Sequence, residues 1–71
     1  MKEGTKRDAK QKILGRLMEL KAEDRMNRFV FESLSKKNPK DTKINEVLDW
    51  ANAIKKEREA LEAALEKLNN L

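Results

Sequence analysis

Neither cysteine nor histidine occurs among the 71 residues. Their absence excludes disulfides, thiolate nucleophiles, most zinc sites and the usual general base near neutral pH. Glycine and proline together number three, and aromatic residues make up 4%. That composition suits helices with charged outer faces and argues against a sheet. Apolar runs stop at three residues, as in Phe29-Val30-Phe31, whereas a transmembrane helix needs about 20. The N-terminus carries charge with no apolar stretch behind it, which is not the pattern of a secretory signal. The expectation is a soluble cytoplasmic protein, with no membrane contact and no small-molecule substrate or cofactor.

What the chain does have is charge. Charged residues account for 42% of it, 17 cations against 13 anions. The two signs nearly balance and the apolar residues recur periodically, so the pattern is that of folded helices rather than of disorder. A chain of this length is one domain. Its core is small and unstapled, and oligomerisation is the expected substitute for staples.

The stretch from Ile44 to Leu71 organises the rest. One heptad position holds Val47, Ile54, Leu61 and Leu68; the other holds Ile44, Ala51, Arg58 and Leu65. Leu48, Trp50, Ala64 and Leu71 widen the stripe. So broad a stripe suits a bundle of three or four helices better than a two-stranded seam. Asn38-Pro39 ends whatever precedes it, because the proline ring drives Asn38 out of the helical region. Asp41 or Thr42 then caps the next helix. The expected layout is a frayed end over residues 1–5, with Thr5 as first cap. A helix over 6–37, a turn over 38–41 and a helix over 42–70 follow. So short a connection makes the helices antiparallel neighbours.

The first helical region presents a difficulty. Its apolar residues fall into two groups, Ile13, Leu14, Leu17, Met18 and Leu20, then Met26, Phe29, Val30, Phe31 and Leu34. On a helical wheel their centres lie on the order of 140° apart. Either one continuous helix meets different neighbours along its length, or the chain breaks near residues 21–24 and forms a three-helix bundle. Lys21-Ala22-Glu23-Asp24 contains no glycine or proline, which favours the continuous helix. Gly15 has two readings, a neutral interior glycine or a point of close helix approach. Phe29, Val30 and Phe31 cannot all face one neighbouring helix, which points to self-association.

The fold expected is therefore all-α: an antiparallel helical hairpin that dimerises into a four-helix bundle. The layout is similar in kind to small dimeric four-helix bundles of the Rop type. That likeness is architectural and implies no function. The assembly seam is assigned to Phe29, Phe31, Ile54, Arg58, Leu61, Leu65 and Leu68. Arg58, a cation within an apolar seam, would set register, with Asp24 or Asn27 as its antiparallel partner. Trp50 is a candidate anchor for a protein partner.

Two basic patches support a second reading. Residues 1–16 hold six cations against Glu3 and Asp8, a net of +4. Residues 36–43 hold four lysines against Asp41, a net of +3. Lys6, Arg7, Lys10, Lys36, Lys37, Lys40 and Lys43 are thus candidate contacts to nucleic acid or another polyanion. Small basic cysteine-free helical chains are common among phage and mobile-element proteins, a setting in which such binding would fit. In a hairpin, however, the first patch lies beside Glu57, Glu59, Glu62 and Glu66, which would absorb part of it. No catalytic or metal-binding constellation is legible: there is no Gly-rich phosphate loop and no ligand cluster. The primary expectation is a non-enzymatic assembly or adaptor module.

Overall fold

The computed structural model describes residues 3–70. Two helices account for nearly all of them, α1 over Glu3–Lys37 and α2 over Lys43–Asn69. They pack against each other as a hairpin. Helix α1 is continuous through Lys21–Asp24, so the expected alternative of a break there is not what the chain adopts. It begins at Glu3, which places Gly4 and Thr5 inside its first turn rather than ahead of it. Met1, Lys2 and Leu71 lie outside the described residues, and with them the start of the expected frayed end and the contribution of Leu71 to the stripe.

The connection is built by two side chains. The Asn38 amide donates to the Leu34 carbonyl at 2.9 Å and closes α1. The Asn38 side-chain oxygen then accepts from the Lys40 amide at 3.2 Å, turning the chain across Pro39. Asp41 Oδ1 accepts from the Lys43 amide at 2.9 Å and satisfies a free donor at the start of α2. Thr42 occupies the cap position in a helical conformation and makes no side-chain cap bond. Of the two expected caps, Asp41 is the one that works.

The hairpin is a rod of 53 × 15 × 12 Å. Its radius of gyration is 16.3 Å, against about 11 Å for a compact domain of this length. So slender a body encloses little. Among the described residues Leu20, Val47 and Ile54 are the buried apolar side chains, and Asn27 is buried with them. Among the described residues no helix is long and apolar enough to cross a membrane.

The two apolar groups of α1 now have a physical explanation. Ile13, Leu17, Leu20, Asp24, Asn27, Phe31 and Leu34 follow alternating steps of four and three residues, and all are buried or partly buried. This is one unbroken seam toward α2, with two polar members in its middle. Leu14, Met18, Met26 and Phe29 stand off that seam, 43%, 73%, 62% and 71% exposed. The apparent change of phase arises because polar residues fill the seam where apolar ones lie outside it.

Candidate protein-interaction face

Two polar features set the register of the hairpin, and a cleft lies beside them. The first is Asn27, 4% exposed. Its Nδ2 donates to the Val47 carbonyl on the facing helix at 2.8 Å. A carbonyl has two lone pairs, so Val47 can accept this bond beside its own helical one. The amide thus ties one point of α1 to one point of α2 inside the core.

The second is Arg16. Its Nε and Nη2 both donate to the Glu57 carboxylate, the latter at 2.9 Å. Nη1 donates to Glu19 at 3.0 Å and lies 3.5 Å from Glu23 Oε2. That Glu23 oxygen is buried and accepts no hydrogen bond. The fork geometry of arginine matches a carboxylate with two parallel bonds, which a lysine could not do. Hydrogen bonds from Arg16 hold the Glu57 carboxyl below its ordinary pKa. The same bonds raise the pKa of Arg16, which is charged at every accessible pH.

A cleft of about 730 Å³ runs along one side of the hairpin. Leu14, Leu17, Met18 and Leu20 supply its apolar lining. Lys21, Asp24, Arg58, Glu59 and Glu62 complete its walls. The cleft therefore opens onto the exposed side of α1.

The sequence-assigned residues distribute as follows. In the seam, Ile54 is buried, and Phe31, Leu61, Leu65 and Leu68 are partly buried. Phe29 faces outward, so the two phenylalanines of the triplet serve different surfaces. Arg58 meets neither Asp24 nor Asn27 as an ion-pair or hydrogen-bond partner. It pairs along its own helix with Glu62 at 3.9 Å, while Asp24 pairs with Arg28 at 3.2 Å. Within the hairpin, register is held by Asn27 and Arg16, which the sequence reading did not single out for that role. The signal for Asn27 was available: it stands seven residues after Leu20 and seven before Leu34, a polar residue in step with a core position. Trp50 is partly buried near the start of α2.

The two basic patches lie at opposite ends of the rod, since one is the start of α1 and the other the connection that ends it. Lys6 and Lys10 are partly buried, while Arg7, Lys36, Lys37, Lys40 and Lys43 are exposed. Arg16, at the end of the N-terminal patch, pairs with Glu57 on the acidic side of α2. Among the described residues, no group of three or more acidic side chains is placed to hold a metal ion.

Compared with known protein families, curated proteins and solved structures, the chain finds no match in any of them.

Proposed function

We propose that this protein is a non-enzymatic assembly or adaptor module that acts through helix–helix contact, with a second copy and with other proteins. One observation carries the reading. Among the described residues the hairpin encloses only Leu20, Val47 and Ile54 as buried apolar side chains, while Met18, Met26 and Phe29 stand more than half exposed. A core of that size leaves a lone hairpin marginal, and covering the outer residues supplies the missing burial. A dimer forming a four-helix bundle is the finer form of the proposal. The partly buried Leu61, Leu65 and Leu68 would complete their burial there, and Arg58 would sit at the junction of the two copies. The non-enzymatic part rests on the sequence, which lacks both histidine and cysteine and places its carboxylates as ordinary helix-surface neighbours.

Sedimentation equilibrium at micromolar concentration tests this reading. The expected mass is that of a dimer, with unfolding that shifts with protein concentration. A cooperatively folding monomer whose midpoint is independent of concentration would refute self-association.

A second reading has its own observation. Lys21 and Arg25 are exposed between the two basic ends and enter no ion pair among the described residues. They extend the basic surface along α1, as a polyanion-binding protein would require. Binding of duplex DNA or RNA that falls steeply with salt would support it. If reversing Lys36, Lys37 and Lys40 to glutamate left such binding unchanged, the connection would be excluded from the contact.

A further inference from the structure

We infer that the outward side of α1 is the docking surface for an acidic amphipathic helix of another protein. The inference rests on the protein-contact part of the reading above and names the chemistry of the partner. Leu14, Met18 and Phe29 lie within roughly 100° of one another on the wheel, together with Lys10, Lys21, Arg25 and Arg28. Met18 and Phe29 are 73% and 71% exposed. Glu32 is an acid on this side, and Asp24 reaches its edge to hold Arg28 at 3.2 Å. Lys10, Lys21 and Arg25 enter no ion pair among the described residues. From Leu14 to Phe29 the surface runs about 22 Å, the length of four helical turns.

Charge decides the occupant. An antiparallel second copy of α1 would bring Lys21 and Arg28 of one chain against the same flank of the other, cation facing cation. A parallel copy would set the two Arg25 side chains against each other. A duplex would neutralise the cations but offer nothing to Met18 and Phe29, because its outer surface is phosphate. A helix bearing leucines at heptad spacing with flanking glutamates satisfies both parts at once, apolar against apolar and acid against base. Glu59 and Glu62, on the α2 wall of the cleft, keep such a helix on the α1 side.

The test uses the full chain and a fluorescein-labelled 21-residue synthetic helix with leucine at the two core heptad positions and glutamate at the flanks. Its control carries lysine in place of each glutamate. Fluorescence anisotropy is expected to show the acidic peptide binding at least about ten-fold more tightly than the basic one. Phe29→Ala should weaken binding about five-fold or more. The double variant Lys21→Glu, Arg25→Glu should lose the acidic peptide and gain the basic one. Both sites are solvent-exposed, and circular dichroism confirms that each variant keeps its helix content. Equal binding of the two peptides, or binding of neither, overturns the inference. So does a 20-base-pair duplex or a phosphatidylserine-containing vesicle that binds as tightly and is indifferent to Phe29→Ala. If Phe29→Ala turns a dimer into a monomer, a second copy is the occupant and the inference fails. A monomer that binds the acidic peptide keeps the inference while refuting self-association, and a dimer that ignores the peptide does the reverse.

Discussion

Replacing Asn27 separates stability from uniqueness in this fold. The side chain is 4% exposed and donates one 2.8 Å hydrogen bond to the Val47 carbonyl. A buried neutral hydrogen bond contributes about 0.5–1.5 kcal/mol net. Asn27→Ala removes that bond and leaves a small void, so a loss of about 1–2.5 kcal/mol is expected. The Val47 carbonyl keeps its helical donor and is not orphaned, which limits the loss. Asn27→Leu loses the same bond but fills the site and buries an apolar side chain, a gain of about 1.5–3 kcal/mol. The leucine variant should therefore be at least as stable as the parent, by about 0–2.5 kcal/mol. What it loses is the directional contact that Asn27 makes inside the core. With leucine at that position the seam from Ile13 to Leu34 is apolar except at Asp24, and neighbouring registers become closer in energy. Urea titration followed by circular dichroism measures the stability order, and counting amide resonances in a two-dimensional spectrum measures uniqueness. The expected order is Leu, then Asn, then Ala, with extra resonances in the leucine variant. A leucine variant less stable than the alanine one, or one showing a single resonance per amide, would refute the reasoning.

Two further outcomes follow from the same structure. Gly15 lies mid-helix, and a Cβ there would meet nothing within 4 Å. Gly15→Ala should raise stability by about 1 kcal/mol, or roughly 4–8 °C in the thermal midpoint; a decrease would mean that a partner backbone approaches at this point. Glu57 has its pKa lowered by the Arg16 hydrogen bonds. Its contribution is therefore fully present above the unfolded glutamate pKa of about 4.3 and is lost as pH falls through the lower folded value. Arg16 stays charged across that range, so Glu57→Gln should flatten the acid limb of the stability curve. An unchanged acid limb would show that the Arg16 pair contributes nothing to it.

The elements themselves were legible because their signals are local. Asn38-Pro39 stops a helix through the proline ring, and Asp41 starts the next by capping it, whatever lies nearby. The heptad seam of α2 was readable because its core positions are apolar except Arg58. The α1 seam was not, since Asp24 and Asn27 occupy it while Met18, Met26 and Phe29 stand outside it. A reading that follows apolar residues alone finds two phases there. Gly15 shows the same limit: its local cost was known, but whether a neighbour approached it depended on which way that side of the helix faced.

Sequence alone thus determined that the chain is helical, where the two helices meet and that they run antiparallel. Propensity, capping and loop length act over a few residues and do not need the partner helix. Only the tertiary structure decided which polar residues serve as core members. Asn27 is a surface residue by type and becomes a buried one because Val47 offers a carbonyl 2.8 Å away. Arg16 would be one cation among many had Glu57, 41 positions later, not come within reach of its fork. Contacts of that kind depend on register across the hairpin. Register is a property of two segments together, which neither segment carries by itself.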